Sequence, residues 1–345
     1  MRETGPATAA RAALREEVGV AIPVYFTDEA DAAAGLPLLA DTLAGCVALV
    51  DARRVTVVLD GSGAGTDAAS RLVQARGARF LALDERKGKL WAQRSAAEQL
   101  LQDAQVRWVA LLDCDGDHFP HELPAFLRMG RHVAAAAGTD RVHVLGRRAS
   151  RHRSLGFVRA EFEALADRVL LDALQYDAAM RGAPLRLTYA TALEEYPDFH
   201  SGYKVLSRAA AQDVFLSEPR LAGLSERAYW RHACEAVLVV ETVLAGAVLA
   251  TVQRGAHNEQ PVSAFARLDR ARLVADKILW PCRRLGVPAA FVAQWLENHA
   301  PRLLLGALAP QGREELGRVC DLVLGDLGMG QATRPDHDPL RPPFL

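Results

Sequence analysis

The chain has 345 residues, of which 50% are hydrophobic and 24% charged, so it can bury a sizeable core and is not disordered throughout. Its 41 basic residues are matched by 42 acidic ones, which argues against a nucleic-acid partner, and no apolar run approaches the ~20 residues of a membrane-spanning helix. The five cysteines form no CxxC pair and no secretory stretch precedes them, which favours a reduced, cytoplasmic protein.

Short apolar runs alternate with amphipathic segments in the first half of the chain. The runs predicted to be strands are 19–26, 55–59, 79–83 and 108–112, and the predicted helices between them are 36–50, 68–76 and 90–103. This alternation predicts an α/β fold with a mostly parallel central sheet and helices on both faces. Because ligands of such sheets bind beyond the carboxyl ends of the strands, the polar residues after each strand are expected to meet at one site.

The second half of the chain is more helical. Residues 155–180, 225–244 and 264–328 predict helices, and 142–146 and 248–252 predict further strands. We divide the chain into an N-terminal segment (1–18), two halves of one domain (19–146 and 147–262), a helical C-terminal region (263–330) and a Pro-rich tail (331–345). The C-terminal helices offer a surface through which two copies of the chain could pair.

Two acidic motifs follow predicted strands. Asp113-Cys114-Asp115 places two carboxylates two residues apart, which can hold a divalent cation such as Mg²⁺ or Mn²⁺, and a solvated turn is the alternative. Asp60 can accept hydrogen bonds from a nucleotide base or ribose, and the small residues after it let a ligand approach the backbone. A tight strand-to-helix turn is the alternative there, since the glycines of 61–65 do not match a GxGxxG fingerprint.

Lysine is rare in this chain, and half of it follows the third predicted strand. Only Lys87, Lys89, Lys204 and Lys277 are lysine, and all other basic residues are arginine. Two cations flanking Gly88 could pair with phosphate oxygens, whereas an ordinary surface loop is the alternative.

Taken in order, these motifs resemble the N-terminal half of a GT-A glycosyltransferase. The residues that carry the resemblance are Ile22-Pro23-Val24-Tyr25, Asp60-Gly61-Ser62 with Gly65-Thr66, Lys87-Gly88-Lys89 and Leu112-Asp113-Cys114-Asp115. The chain is most similar to family 2 enzymes and to glucosyl-3-phosphoglycerate synthases. In the second half, Cys234-Glu235 resembles the start of the acidic helix that faces the acceptor, Ser201-Gly202-Tyr203 the acceptor-side turn, and Ala256-His257-Asn258 a loop that supplies a histidine metal ligand.

The resemblance implies a GT-A (nucleotide-diphospho-sugar transferase) fold and a metal-dependent transfer of a sugar from a UDP- or GDP-linked donor to a hydroxyl acceptor. The residues implied to bind the donor are Pro23, Tyr25, Asp60, Gly61, Ser62, Lys87, Gly88, Lys89, Asp113, Cys114 and Asp115. Those implied to hold Mg²⁺ or Mn²⁺ are Asp115, Asp113 and His257, and those implied to bind the acceptor are Ser201, Gly202, Tyr203 and Arg147. An inverting enzyme needs a general base, for which Glu235 is the first candidate and Asp198 the second.

Several features depart from this pattern or leave alternatives open. Cys234 stands where the family usually has an acid, Ala64 where an aspartate is common, and Asp117 adds a third acid after the metal motif. The arginines of 147–153, and likewise Lys204, could attract an acidic acceptor or form a solvated face. The run 111–117 also resembles a haloacid-dehalogenase phosphatase with Asp113 as nucleophile, and a non-catalytic nucleotide-sugar-binding module is a third hypothesis.

Overall fold

The computed structural model describes residues 6–191, 196–256, 269–305 and 309–329. The strands are β1 (Val18–Val24), β2 (Val55–Leu59), β3 (Arg79–Ala82), β4 (Trp108–Leu111), β5 (Val142–Arg148), β6 (Lys204–Ser207) and β7 (Val248–Arg254). The helices are α1 (Pro6–Glu17), α2 (Glu29–Leu49), α3 (Thr66–Ala75), α4 (Lys89–Leu100), α5 (Leu123–Ala137), α6 (Arg151–Leu155), α7 (Phe157–Met180), α8 (Arg208–Phe215), α9 (Glu226–His232), α10 (Cys234–Leu244), α11 (Arg270–Arg284), α12 (Ala289–His299) and α13 (Pro310–Asp326). Short 3-10 turns lie at Ala52–Arg54, Pro120–Glu122 and Ala300–Arg302.

The strands form one sheet in the order β3-β2-β1-β4-β6-β5-β7. All run in the same direction except β6, which is antiparallel to both β4 and β5. Lys204, the first residue of β6, therefore pairs with Leu111, the last residue of β4, and with Leu145 in the middle of β5. The start of β6 and the carboxyl ends of the other strands share one edge of the sheet, and the predicted α/β fold with a mostly parallel sheet is confirmed.

Apolar side chains pack on both faces of the sheet because the strands are rich in buried Val, Leu and Ile. Helices α1, α2, α3 and α5 contribute to the core on one face. On the other face, α4, α7, α8 and α10 form a core that continues into the C-terminal helices α11, α12 and α13. The predicted helical C-terminal region is thus packed on the same domain and extends its core.

The sequence predicted no apolar segment of membrane-spanning length, and helix α2 is an exception to this prediction. Its 21 residues are long and apolar enough to cross a membrane by length and composition, and among the described residues it is the one helix that meets this test. The carboxylate of Asp28 caps its start by accepting the backbone N–H of Asp31 at 2.9 Å. Leu39, Leu43 and Cys46 on its inner side are fully buried in the core, which accounts for its apolar composition.

The predicted helix 225–244 is two helices, α9 and α10, that meet at Ala233. Arg231 of α9 donates to carbonyl oxygens in the loop after β3, whereas Glu235 lies in the first turn of α10. The structure describes no residue of 331–345, and His257 also lies outside the described residues. Cys46, Cys114, Cys234 and Cys282 form no disulfide, as expected.

Candidate active site

Lys89 joins the two halves of the domain at the carboxyl edge of the sheet. Its ammonium donates to the Asp113 carboxylate at 2.8 Å and to the Glu235 carboxylate at 3.1 Å. Burial by itself disfavours the charged amine, but the two carboxylates outweigh it and hold the pKa of Lys89 well above its usual value. Residues from α4, the end of β4 and α10 thus meet as predicted, around one cation.

Asp60 holds the loop that leads to Lys89. One oxygen of its buried carboxylate accepts the backbone N–H groups of Lys87, at 2.9 Å, and of Gly88, at 3.1 Å. Gly88 has a φ of +138°, and a Cβ there would lie 2.5 Å from the Trp230 carbonyl oxygen of α9. Only glycine therefore fits this position, and the Asp60 carboxylate fixes the loop.

Two arginines complete the surroundings of this loop. Arg231 of α9 donates to the carbonyl oxygens of Lys87, at 3.2 Å, and Arg86, at 3.1 Å. The guanidinium of Arg86 in turn lies 3.5 Å from the centroid of the Tyr25 ring, after β1. Pro23 and Gly61 are partly buried and Ser62 is exposed, and a Cβ on Gly61 would lie 3.1 Å from the Arg86 Cβ. Tyr25 after β1 and Gly61 after β2 therefore both border Arg86 after β3.

Asp113-Cys114-Asp115 follows β4 beside Lys89. His118 accepts the backbone N–H of Asp113 through Nδ1 at 2.7 Å, which fixes the turn, and the Asp117 N–H donates to the Asp115 carboxylate at 3.2 Å. Burial, with the charges of Asp113 and Asp117, raises the pKa of Asp115 to about 6. The Asp115 carboxylate is costly to ionise by itself, and Asp113 lies next to it. A bound divalent cation would offset this cost, so the pair fits a cation site.

The described residues alone do not make a three-ligand metal centre of His, Cys, Asp or Glu. Asp113 and Asp115 can supply two hard oxygen ligands. His257, the third predicted ligand, lies outside the described residues, although the end of β7 that leads to it is at the same edge. Asp117 has a different role from that of a ligand, because its carboxylate pairs with buried Arg254 at 2.9 Å.

The turn before β6 approaches the Lys89 cluster closely. A Cβ on Gly202 would lie 2.5 Å from an Asp113 carboxylate oxygen and 2.9 Å from the Lys89 ammonium. The predicted acceptor-side glycine therefore borders the same charged groups as the donor motifs. Arg147, near the end of β5, shares this edge, and its contact with an acceptor stays a prediction.

The side chains on either side of Gly202 face inward. Tyr203 is fully buried and stacks on Phe126 with 4.3 Å between ring centroids. Ser201 is also fully buried, and its hydroxyl accepts from Arg254 at 3.3 Å. The expectation that these two side chains contact the acceptor is therefore corrected, because packing and hydrogen bonding already occupy them.

Asp198 lies in a buried ion-pair cluster. Arg148 donates to both of its carboxylate oxygens, at 2.6 and 2.8 Å, and also to Glu163 at 2.8 Å. Burial favours neutral Asp198, but Arg148 and Arg151 outweigh it and hold the pKa of the carboxyl below its usual value. Asp198 is 1% exposed, so it is a poor candidate base, and Arg148 and Arg151 are structural rather than a solvated face.

Glu235 remains the better candidate base by position. It lies in the first turn of α10 with its side chain 13% exposed. Burial raises the pKa of Glu235, but Lys89, Lys277 and Lys204 outweigh it and hold the carboxyl well below its usual range. Glu235 is therefore an ionised carboxylate, and its basicity depends on how close the ammonium groups of those lysines lie to it.

Sequence reasoning missed Arg231, Arg254 and His118. Arg254 donates to Asp117 and Ser201 and so ties the end of β7 to the metal motif and to the Gly202 turn. Its position at a strand end was the same feature that identified Asp60 and Asp113. Arg231 had no such indication, because its role depends on the break between α9 and α10.

No protein-family model matches the sequence, and no curated protein matches it significantly. Among solved structures, glucosyl-3-phosphoglycerate synthase from Mycobacterium tuberculosis in complex with phosphoglyceric acid is 19% identical, with a TM-score of 0.49, over 81% of this chain and 83% of that one. Mannosyl-3-phosphoglycerate synthase from Rubrobacter xylanophilus is 16% identical, with a TM-score of 0.47, over 81% and 76%. Mannosyltransferase PcManGT from Pyrobaculum calidifontis, in complex with GDP-Man and Mn²⁺, is 15% identical, with a TM-score of 0.44, over 92% and 76%.

Proposed function

We propose that the chain is a glycosyltransferase of the GT-A type, which transfers a sugar from a UDP- or GDP-linked donor to a hydroxyl acceptor with Mg²⁺ or Mn²⁺. The observation that carries the proposal is the bridge from Lys89 to Asp113 and Glu235. It brings a cation, a metal-binding motif and a candidate base within contact distance. An inverting, metal-dependent transfer from a nucleoside-diphosphate sugar uses these three groups.

The donor is proposed to lie across the ends of β1, β2 and β4. Asp60 has one carboxylate oxygen engaged with the backbone of the Lys87-Gly88 loop, and its other oxygen is the proposed contact for the base or ribose. Lys89 follows this loop directly, at the first residue of α4. Its ammonium is placed to stabilise the charge that develops as the nucleoside diphosphate leaves.

A divalent cation would be held by Asp115 and Asp113, with His257 as the proposed third ligand. When bound, the cation would neutralise the diphosphate oxygens. Without it, the buried carboxylate of Asp115 is costly to ionise, as its raised pKa indicates.

Glu235 is the proposed base for the acceptor hydroxyl in an inverting reaction. In the structure Lys89 donates to it, which stabilises its ionised form and lowers its basicity. If Lys89 contacts the diphosphate when the donor binds, that stabilisation weakens and Glu235 becomes a stronger base. Donor binding would thus raise the basicity of Glu235. The Lys89 side chain would in this way couple the donor site to the base that acts on the acceptor.

The acceptor is proposed to be a small, soluble molecule that bears a hydroxyl and enters over the Gly202 turn. The absence of a Cβ at Gly202 lets Asp113 and Lys89 pack closely against this turn, so an acceptor above it would lie beside both charged groups. Arg147 is the proposed contact for an acidic group on this acceptor. Cys46, Cys114, Cys234 and Cys282 form no disulfide, which supports the proposed cytoplasmic location. Pairing of two copies through the C-terminal helices is a further proposal.

The test is release of nucleoside diphosphate from a panel of UDP- and GDP-sugars, measured with Mn²⁺, with Mg²⁺ and with EDTA. We expect slow hydrolysis of one nucleotide class that requires metal. Glu235→Gln keeps the shape of the side chain and is expected to lower transfer by about 10²–10⁴-fold while donor affinity stays within a few fold. Metal-independent activity, or no activity across the panel, would contradict the proposal.

Two measurements separate this proposal from a phosphatase and from a non-catalytic module. A phosphatase of the haloacid-dehalogenase type would form a phosphoaspartate at Asp113, which mass spectrometry after acid quenching detects. A non-catalytic module would bind a nucleotide but give equal, background rates for the wild type and Glu235→Gln. We expect neither result.

A further inference from the structure

A polar cleft is lined by Arg227, Ala228 and His232 of α9, together with residues of α11 and α13. It has a volume of about 480 Å³ and lies between α9, α11 and the end of α13. Its charged lining residues are Arg227, His232, Arg272, Asp276, Arg283 and Asp326. None of these residues belongs to the proposed donor, acceptor or metal site, so the cleft is a separate feature.

The lining of this cleft has more positive than negative charge. Arg272 donates to the carboxylate of Asp276 and pairs with Asp326 at 2.7 Å, so its charge offsets one of these two carboxylates and one negative charge remains. Arg283 donates to the backbone oxygens of Gly223 and Asp326, which carry no full charge. With Arg227 exposed on α9, three guanidinium groups face two carboxylates even when His232 is neutral.

Arg227 also lies near the arginines on the donor side. It is one helical turn from Arg231, so their side chains are neighbours and their like charges repel. Burial, then the charges of Arg86 and Arg227, lower the pKa of Arg231 below its usual value. Arg231 is the residue that donates to the carbonyl oxygens of the donor loop.

We propose that this cleft binds a small molecule bearing phosphate groups, and that its binding stabilises α9 against the donor loop. Phosphate oxygens accept the forked donors of arginine, and Arg227 and Arg283 are placed to provide them. An anion near Arg227 offsets its repulsion of Arg231, which favours the hydrogen bonds from Arg231 to the loop. The cleft is thus a regulatory site for the donor half, and its binding chemistry does not depend on what the donor is.

Isothermal titration with inorganic pyrophosphate in EDTA tests the binding. We expect the wild type to bind one equivalent and Arg227→Ala to bind about tenfold more weakly, since a charge-assisted hydrogen bond is lost. Arg227→Lys, which keeps the charge, should recover part of the affinity. Arg318→Ala is the matched control, because Arg318 is an exposed arginine of α13 that is not among the residues lining the cleft.

Lys89→Met separates this site from the donor site. Pyrophosphate binding that survives in Lys89→Met but weakens in Arg227→Ala supports the cleft. Binding that is lost in Lys89→Met and unchanged in Arg227→Ala would place pyrophosphate in the donor site and overturn the proposal. No binding at millimolar pyrophosphate, or equal weakening in Arg318→Ala through a general charge effect, would also overturn it.

The contact between Trp91 of α4 and Trp230 of α9 reports the coupling. Their ring centroids lie 5.0 Å apart, so a change in how α9 sits on α4 is expected to alter tryptophan fluorescence. We expect pyrophosphate to change the emission of the wild type and to change that of Trp230→Phe at most half as much. Binding by calorimetry with no fluorescence change would overturn the coupling.

Discussion

The two halves of the sheet edge use charged residues in different ways. In the proposed donor half, Asp60, Lys89 and Asp113 come directly after strands or at the start of a helix. The Asp60 carboxylate accepts backbone N–H groups of the Lys87-Gly88 loop, and Lys89 pairs with Asp113. In the acceptor half, Arg148, Glu163 and Asp198 come from distant elements and are buried against one another. The first group leaves charged side chains accessible to a ligand. The second cluster is buried and holds its part of the fold together.

This difference teaches that a charged residue at a strand end is not by itself evidence of a binding role. A buried ion pair adds little net stability over an apolar pair, but removing one partner leaves an uncompensated charge and is strongly destabilising. Substitutions in the donor half are therefore expected to reduce activity, whereas those in the acceptor half are expected to reduce stability.

The largest effect is expected at Lys89. Lys89→Met removes the cation between Asp113 and Glu235 and should lower kcat/KM for sugar transfer by about 10³-fold, because the leaving diphosphate loses its charge partner. Lys87→Met is the matched control, since the Lys87 ammonium lies over the Trp91 ring, 4.6 Å from its centroid, and should change the rate by less than about fivefold. Equal losses in both variants would remove the distinction between the two lysines.

Arg148→Met is expected to destabilise the fold. It leaves Asp198 and Glu163 buried without their shared cation and should lower the free energy of unfolding by about 3–5 kcal/mol in urea denaturation. Arg53→Met is the control, because the Arg53 side chain is 81% exposed and its loss should leave the free energy of unfolding almost unchanged. A fully stable Arg148→Met protein would show that the cluster is dispensable to the fold.

The Asp198 cluster should also make stability depend on pH in acid. The pKa of Asp198 is lowered in the folded state, so its contribution is present above the unfolded pKa near 4 and is lost as the pH falls below it. Asp198→Asn should therefore be less stable than the wild type by about 2 kcal/mol at pH 7. We expect this gap to narrow below about pH 4 in denaturant titrations, and a gap that is constant down to pH 2 would be evidence against the lowered pKa.

The smallest effect is expected at Tyr203. Its hydroxyl is 3.4 Å from the Phe119 carbonyl oxygen, so Tyr203→Phe should cost less than about 1 kcal/mol of stability. The KM for the acceptor should stay within twofold, because the ring is buried and stacked on Phe126. A large rise in that KM would restore Tyr203 as an acceptor contact.

The sequence was most informative where charged residues directly follow a predicted strand. Short apolar runs predicted β1 to β4, and the polar residues after them predicted the group around Lys89, because parallel strands bring their carboxyl ends to one edge. Whether the side chains of Tyr203 and Asp198 are buried or face a ligand could not be predicted in this way. It depends on the antiparallel β6 and on partners such as Arg148 and Phe126, which are far away in the chain.

The central claim is that the Lys89 cluster binds a nucleoside diphosphate together with a divalent cation. The most direct measurement is the melting temperature of the wild type with UDP or GDP, each with Mn²⁺ and with EDTA, repeated with Lys89→Met. We predict that one nucleotide raises the melting temperature only when Mn²⁺ is present, and that Lys89→Met loses most of this rise. No stabilisation by either nucleotide, or an equal rise in EDTA and in Lys89→Met, would contradict the claim.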